Sequence, residues 1–234
     1  ARGYTKAANQ GMANTKGEMT ILLNSDTIVT EHWVEKMAHA LFSTCGAGIV
    51  GALSNAASHQ SVPDIASRHG QTAINELPPG VSVELMNVLC EQWSVDGLVL
   101  RVPLVHGFCI GISRDVLNQV GGFDESSFPH GYGEENDLCF RATDAGFALV
   151  LATNTFVFHA KSKSFDSERR ERLMADGSRA LHELHGSPRV SRSVQAMQKN
   201  PVLARLRSRA ALLHRQARAS LLAVKVLPAV AGPG

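Results

Sequence analysis

Apolar runs and helical repeats alternate along the chain from residue 6 to residue 159. Apolar side chains recur at helical spacing over residues 31–42, and unbroken apolar runs lie on either side, at residues 19–24 and 48–53. A spacing of three to four residues predicts an amphipathic helix, here with Thr30 as its N-cap, and a short unbroken run predicts a strand buried on both faces. Because helices and strands alternate in this order, we expect an α/β sheet with parallel strands.

The same patterns predict most of the remaining elements. Further helices are expected over residues 6–15, 114–120 and 167–184, and further strands over residues 98–104, 108–113, 147–151 and 155–159. Between them, the polar, proline-containing residues 54–95 form a long excursion, with one short helix over residues 65–74. An excursion of this length in a compact domain is often functional, for example as a lid or an acceptor-binding insertion.

Three acidic residues lie at the start of another predicted helix, which ends near Gly146. Glu134, Glu135 and Asp137 follow a Gly-Tyr-Gly turn at residues 131–133. Acids are favoured in a first helical turn, so these residues are explained by a charged helix start with Asp137 paired to Arg141. They are equally explained by a general base at a loop-to-helix junction beside a cleft. The residues alone leave both interpretations open.

Two polar groups end apolar runs and are candidates for metal binding. Asn24, Ser25 and Asp26 follow the first predicted strand, and His159 ends the last one. Ligands bind at the carboxyl ends of strands in open α/β sheets, and a carboxylate with a neutral imidazole suits ions such as Mn²⁺. An aspartate that caps the next turn and a histidine that merely ends a strand are the alternatives.

Composition limits the class of protein. The 234 residues are 44% hydrophobic and 19% charged, as in a soluble globular protein with a substantial core. The four cysteines are scattered without paired spacing, which favours reduced, mostly buried thiols in a cytoplasmic setting over a zinc site or a disulfide framework. The sequence contains no Walker or Rossmann phosphate loop.

The net charge of +2 conceals an uneven distribution. Residues 184–234 contain nine Lys/Arg and no Asp/Glu, whereas the preceding residues contain 14 Lys/Arg and 21 Asp/Glu, a net charge of −7. As a helix, this basic tail would suit an anionic membrane surface or a partner helix; as a solvated, partly disordered extension it would need no partner. Nucleic acid is not an expected partner, because Phe165 is the last aromatic residue and the tail offers no ring for base stacking.

Five motifs, taken together and in order, resemble the family 2 glycosyltransferases of GT-A fold, especially their rhamnosyltransferase-like branch. The resemblance covers roughly residues 1–165. The motifs occur at residues 8–11 (Ala-Asn-Gln-Gly), 22–27 (Leu-Leu-Asn-Ser-Asp-Thr), 121–125 (Gly-Gly-Phe-Asp-Glu), 133–141 (Gly-Glu-Glu-Asn-Asp-Leu-Cys-Phe-Arg) and 158–159 (Phe-His).

This resemblance implies a fold and a set of partners. The fold would be a Rossmann-like α/β fold with a mixed, mostly parallel sheet flanked by helices, in a domain of residues 1–185. A basic helical or disordered extension, residues 186–234, would follow. The reaction would be metal-assisted, inverting sugar transfer from a nucleotide-diphosphate sugar to a saccharide or lipid-linked acceptor, in bacterial surface polysaccharide synthesis.

The resemblance also assigns roles to individual residues. Residues 24–26 match the DxD-type motif, with Asn24 in place of its first acid, so Asp26 and His159 would hold Mg²⁺ or Mn²⁺. The acidic cluster matches the motif that contains the base, for which we favour Glu135, with Glu134 and Asp137 orienting it or the acceptor. The remaining matches are nucleotide-sugar positions at Gly3, Asn9, Asn24 and Ser25, and acceptor positions at Gly107, Gly122 and Asp124.

One departure from the family pattern and two rival functions remain. Family members begin with a strand–helix–strand portion that holds the nucleobase, which this sequence lacks, so we expect a fragment that is poorly active alone. A non-catalytic carbohydrate-binding or scaffold domain is the main rival, although such a domain should have lost at least one of the acids or His159. Metal-dependent phosphoryl transfer would require more carboxylates around Asp26.

Overall fold

A computed structural model describes residues 3–67, 71–94, 99–161 and 167–226 of the chain. The helices are α1 (Tyr4–Ala13), α2 (Trp33–Phe42), α3 (Val83–Trp93), α4 (Arg114–Val120), α5 (Glu134–Asp144), α6 (Ser167–His185), α7 (Ser187–Gln198) and α8 (Pro201–Val226). The strands are β1 (Met19–Leu23), β2 (Thr27–Ile28), β3 (Ala47–Leu53), β4 (Leu100–Val102), β5 (Cys109–Ser113), β6 (Ala148–Phe156) and β7 (Phe158–His159). The predicted mixed α/β architecture is confirmed.

Five strands form the main sheet, in the order β1-β5-β3-β6-β4, and β2 pairs with β7 in a separate ribbon. The prediction of a mostly parallel sheet is wrong, because only β3 and β6 pair in parallel and the other three pairings are antiparallel. An unbroken apolar run shows that a strand is buried but does not show its direction. Strands β1, β3 and β6 nevertheless point the same way, so their carboxyl ends meet at one edge.

Both faces of the sheet are covered by helices. Side chains of β3 and β6 alternate between the faces: Ile49 and Leu149 belong to one apolar cluster, and Val50 and Val150 to the other. Helix α2 covers the second face through Met37 and Leu41. Buried residues of α3, α5, α7 and α8 join the cluster on the first face.

Most helices lie where the sequence predicts them, and the exceptions have local causes. Helix α4 begins after Ser113, whose hydroxyl accepts a hydrogen bond from Val116 N–H, and it ends at Gly121. Helix α2 begins two residues later than predicted, because Thr30 donates its hydroxyl to Phe156 O instead of capping the helix.

The helix of the long excursion is misplaced in the prediction. No helix forms in the described parts of residues 65–74, and residues 68–70 lie outside the description. The helix of this excursion is α3, capped by the Ser82 hydroxyl and anchored by buried Met86 and Cys90.

The two strands predicted over residues 147–151 and 155–159 are one continuous strand, β6, followed by the short β7. Polar Thr153 and Asn154 break the apolar pattern there without breaking the strand.

Within its described part, the basic tail forms two helices, α7 over residues 187–198 and α8 over residues 201–226. Its apolar residues Val190, Met197, Leu203, Leu206 and Ala210 are buried in the main core cluster. The boundary at residue 185 stays a prediction.

All four cysteines are free, and all but Cys45 are buried. Within the described ranges, no helix combines the length and apolar content needed to span a bilayer.

Candidate functional site

Polar residues collect at the sheet edge where β1, β3 and β6 end and β5 begins. Asn24 follows β1, Asn55 follows β3, and β7 with His159 follows β6. Antiparallel β5 contributes the residues before its first position, and Phe108 O accepts a hydrogen bond from Asn24 N–H at 2.9 Å. The edge thus brings together segments that are up to 135 residues apart in sequence.

The two predicted metal ligands lie side by side at this edge. His159 Nε2 is 3.2 Å from Asp26 Oδ1 and 3.3 Å from Asn24 Nδ2. The pairing of β2 with β7 sets this contact, because it places Thr27 opposite His159, and Ala160 N–H donates to Asp26 O at 2.8 Å. Ser25 is exposed beside this pair.

The hydrogen bonds of His159 fix the tautomer of its ring. Nδ1 lies 3.0 Å from Ala56 O, and because a carbonyl oxygen only accepts, Nδ1 carries the proton. Burial, followed by the charge of Lys161, lowers the pKa of His159, so the imidazole is neutral and Nε2 presents a lone pair.

That lone pair points toward an anionic oxygen of Asp26. Two acceptors facing each other at 3.2 Å repel unless a cation or a proton lies between them, and an imidazole nitrogen with a carboxylate oxygen is a donor set for a divalent metal. The residues present therefore fit Mg²⁺ or Mn²⁺. Among the described residues, no group of three or more His, Cys, Asp or Glu side chains could hold a metal. Such ions commonly take their other ligands from water and substrate phosphates.

Asn55 positions His159 through its backbone. Its side-chain Oδ1 accepts the His159 N–H at 2.7 Å, and its Nδ2 donates to His159 O at 3.1 Å. The Asn55 carbonyl accepts from Asn75 Nδ2 at 2.8 Å, which ties the long excursion to the same point. Asn55 is buried and its side chain bonds on both sides, so it fixes β7 relative to the end of β3.

Glu135, the favoured base, lies against Gly107. A Cβ atom at residue 107 would be 3.3 Å from Glu135 Cβ and 3.4 Å from its Cγ, so glycine is what allows this approach. Burial, and then the neighbouring Glu134 carboxylate, raise the pKa of Glu135 to about 8. A carboxyl group with such a pKa can accept a proton at neutral to mildly basic pH.

Glu134 turns away from this contact and caps its own helix. Its Oε2 accepts the Gly133 N–H at 3.0 Å, and the side chain is buried. Burial raises the pKa of Glu134. Both acids also act on Tyr4. Burial, and then the charges of Glu134 and Glu135, raise the pKa of Tyr4 to about 12.

Residues 106–108 lie between segments that carry Glu135 and His159 and contact both residues. The Phe108 ring stacks on the His159 ring, with centroids 5.4 Å apart and planes inclined by 17°. His106 packs on the same Phe108 at 5.9 Å, and Gly107 between them contacts Glu135. Neighbouring residues of this short segment therefore contact Glu135 and His159.

Lys161 lies within electrostatic range of both Asp26 and Glu135. Burial, and then the charge of Arg170, lower its pKa, whereas the carboxylates of Asp26 and Glu135 act in the opposite direction. A single ammonium group is thus influenced by the carboxylates of both Asp26 and Glu135.

Asp137 belongs to a buried ion-pair network. Its Oδ2 accepts from Arg141 Nε at 2.7 Å, and its Oδ1 lies 2.8 Å from His185 Nε2. Arg141 also donates to Val120 O and Gly122 O, at 3.0 and 2.8 Å. The sequence interpretation that pairs Asp137 with Arg141 is confirmed. Both carboxylate oxygens are occupied, so in the structure Asp137 joins α5 to the Gly122 loop and to α6.

Replacing Asp137 by asparagine should destabilise the protein by about 2–4 kcal/mol, because one partner of a buried pair is removed and Arg141 keeps its charge. Urea unfolding of Asp137→Asn measures this loss. The matched control is Asp144→Asn: Asp144 pairs with Arg189 but is 59% exposed, so its loss should stay below about 1 kcal/mol. Equal losses in the two variants would contradict the structural role of Asp137.

Asn9 and Gly122, assigned by resemblance to different ligands, contact each other. Asn9 Oδ1 accepts the Phe123 N–H at 2.8 Å and its Nδ2 donates to Phe123 O at 2.9 Å. A Cβ atom at residue 122 would lie 2.4 Å from Asn9 Oδ1. Asn9 thus holds the loop that contains Gly122 and Asp124.

Asp124 and Gly3 also support this loop region. Asp124 Oδ1 accepts from Ser126 N–H at 2.9 Å and from the Ser126 hydroxyl at 2.6 Å. Burial alone would raise the pKa of Asp124, but the hydrogen bonds from Ser126 and Ser127 outweigh it and lower this pKa to about 2. Gly3 has a φ of 81°, and a Cβ atom there would lie 2.2 Å from Pro129 O.

Sequence reasoning missed His106, Asn55 and Lys161 as site residues. Each lies outside the five motifs, in a segment without helical or strand periodicity. His106 and Asn55 do stand next to predicted strands, at the end of the sheet where the other polar residues collect. That position was the one available indication of their role.

Comparisons with known proteins place the chain in a family. The sequence profile described as glycosyltransferase-like family 2 matches residues 1–174. An uncharacterized protein of Mycobacterium tuberculosis is 32% identical over 94 residues, which are 38% of this chain and 36% of that protein. An uncharacterized protein of Sinorhizobium fredii is 27% identical over 173 residues, 69% of this chain and 17% of that protein. The matches thus span only a sixth to about a third of these relatives.

A solved structure shares the fold. The crystal structure of GalNAc-T7 with UDP, GalNAc and Mn²⁺ superimposes with a TM-score of 0.52 at 14% identity, over 97% of this chain and 45% of that one. The predicted GT-A architecture is confirmed by this likeness.

Proposed function

Since the chain belongs to the glycosyltransferase-like family 2, we propose that its sheet edge transfers a sugar, with inversion, from a nucleotide-diphosphate donor to a saccharide or lipid-linked acceptor. One observation carries this proposal. The short segment of residues 106–108 contacts Glu135 through Gly107 and His159, the partner of Asp26, through Phe108. An inverting transfer requires the base and the leaving group on opposite sides of the anomeric carbon.

Glu135 takes the proton of the acceptor hydroxyl in this scheme. Its carboxylate is half-buried beside Gly107, and its pKa of about 8 gives it the basicity to accept a proton as the acceptor oxygen attacks. Glu134 holds the helix start through Gly133, which fixes the backbone that carries the base. Asp137 fixes the same helix from within the core through Arg141 and His185.

Asp26 and His159 would hold Mg²⁺ or Mn²⁺ at the other side. When bound there, the ion supplies positive charge that stabilises the departing diphosphate. Asn55 holds the backbone of His159, and Ala56 O keeps its ring in the tautomer whose Nε2 can coordinate. Lys161 adds a further positive charge near Asp26, where the diphosphate would leave.

His106 is suited to donate a hydrogen bond to the bound sugar. Its Nδ1 accepts the Phe108 N–H at 3.2 Å, so in the neutral ring the proton lies on Nε2. Burial, and then the charges of Lys161, His159 and His59, lower the pKa of His106 to about 3, so the ring stays neutral. The Nε2–H group is then a permanent donor on the segment that contacts both Glu135 and His159.

Replacing His106 by asparagine should lower kcat/KM about 10- to 30-fold, the effect of one hydrogen bond of 1.4–2 kcal/mol. Asparagine keeps a side-chain oxygen that can accept the Phe108 N–H, as in an Asx turn, but lacks the distant donor. Melting temperature and kcat/KM are compared with those of the wild type. If the folded variant keeps the wild-type kcat/KM, His106 does not donate a hydrogen bond to the bound sugar.

The function itself is tested by a screen of nucleotide-diphosphate sugars. Calorimetry with each donor, with and without Mn²⁺, should detect binding of at least one donor that depends on the ion. Transfer is then followed with acceptors from bacterial surface polysaccharides, the class that the family resemblance implies. Carbohydrate binding without any metal-dependent donor binding would favour a non-catalytic binding domain instead.

A further inference from the structure

Helices α7 and α8 each bury one face against the body of the protein. In α7 the buried residues are Val190 and Met197, and in α8 they are Leu203, Leu206 and Ala210. Arg207 reinforces this contact, because its guanidinium donates to Ser61 O at 3.4 Å and also to His59 O. The orientation of both helices is therefore fixed, and their opposite faces always point outward.

The outward faces carry positive charge without any carboxylate of their own. Arg192 and Lys199 are two helical turns apart on the side of α7 away from its buried residues, and both are exposed. Arg205 and Arg209 are one turn apart on the exposed side of α8, and Arg205 also donates to Trp93 O at 3.4 Å, a contact that keeps its charge. We call these four residues the basic helix face. Leu212 continues the same side of α8 and is 46% exposed.

Other cations of the tail are excluded from this face, because acids of the body lie near them. Arg189 forms an ion pair with Asp144 at 2.7 Å. Arg215 and Arg218 line a groove that also contains Asp64 and Glu76.

Helix α6 shows what an ordinary charged helix of this chain looks like. It also has four exposed arginines, but acids alternate with them along the helix. Arg172 pairs with Glu168 at 3.5 Å, and Arg179 pairs with Asp176 at 3.0 Å. The absence of Asp and Glu after residue 183 is thus specific to the tail.

We propose that the basic helix face binds the surface of an anionic phospholipid bilayer. A fixed row of cations without acids is attracted to anionic headgroups, at about 1 kcal/mol for each basic residue near the surface. Exposed Leu212 can enter the headgroup boundary beside the arginines. Nucleic acid is disfavoured as the partner, because no aromatic residue follows Phe165 to stack on bases. This proposal does not depend on sugar transfer, although it would bring the site to a lipid-linked acceptor.

Vesicle sedimentation of the full chain tests the proposal. The wild type should bind vesicles of phosphatidylglycerol and phosphatidylcholine, but not pure phosphatidylcholine vesicles, and added salt should weaken the binding. The variant R192Q/K199Q/R205Q/R209Q should lose on the order of a thousandfold in partition coefficient, the combined effect of four such charges. The matched control is R169Q/R170Q/R172Q/R179Q, which removes the same charge from α6 and should lose less than about threefold.

Three results would overturn the proposal. Equal losses in the two variants would mean that only net charge matters. Equal binding to both kinds of vesicle would exclude recognition of anionic headgroups. Tighter binding of the wild type to duplex DNA than to anionic vesicles, lost in the tail variant alone, would assign the face to nucleic acid.

Discussion

Replacing Glu135 by glutamine should lower kcat for sugar transfer by about 10²–10⁴-fold, because the group that accepts the acceptor proton is removed while its size is kept. Donor binding should not change, since the proposed donor contacts are made by Asp26 and His159. Steady-state kinetics and donor titration of the two proteins measure both quantities. The matched control is Glu134→Gln, whose side-chain oxygen can still accept the Gly133 N–H, and which should lose about tenfold or less.

The pH dependence follows from the direction of the Glu135 pKa shift. The base must be ionised to act, so kcat/KM of the wild type should rise with pH and level off above about pH 8. The folded-state pKa lies above that of an unfolded glutamate, so the protonated form favours folding at low pH, and this stability is lost as pH rises through 8. Glu135→Gln should therefore melt at a higher temperature than the wild type above pH 8. A variant that is inactive and also less stable at that pH would indicate misfolding rather than loss of a base.

Replacing Asp26 by asparagine should weaken metal-dependent donor binding by at least the 10- to 100-fold that loss of even an outer-shell metal partner costs. Asparagine keeps the shape of the side chain but removes the charge that faces His159 Nε2 at 3.2 Å. The readout is the rise in melting temperature produced by Mn²⁺ together with the donor, which reports binding to the folded state. Asp115→Asn, at an exposed position in the first turn of α4, changes net charge equally and should retain the full rise. A full rise in Asp26→Asn would exclude Asp26 as a ligand.

Local sequence signals predicted the parts of the fold that depend on local structure. Ser113 and Gly121 mark both ends of α4, and the acids and glycines around residues 131–146 mark α5. Strand directions could not be predicted, because β5 lies between β1 and β3 only through long-range pairing. Helix α3 was missed although Val83, Met86, Cys90 and Trp93 recur at helical spacing, because it lies within an otherwise polar, proline-containing stretch.

The candidate site was predictable in its charged groups but not in its supporting groups. Asp26 and His159 could be proposed as partners because both end strands, and the structure places them in contact. The separate functions of the acids at residues 134–137 could not be predicted, because they depend on what each side chain meets. Glu135 meets Gly107, whereas Asp137 meets Arg141 and His185. The role of Asn55 rests on two hydrogen bonds across 104 residues of sequence.

The central claim is that Glu135 and the pair of Asp26 and His159 act on opposite sides of one sugar. The most direct test is an assay of nucleoside diphosphate release, with the donor found by calorimetry, in the presence of acceptor and with or without Mn²⁺. We expect release that requires both the ion and the acceptor, an inverted product linkage by NMR, and loss of release in Glu135→Gln and in Asp26→Asn. Release that is unchanged in both variants, or a product with retained configuration, would contradict the claim.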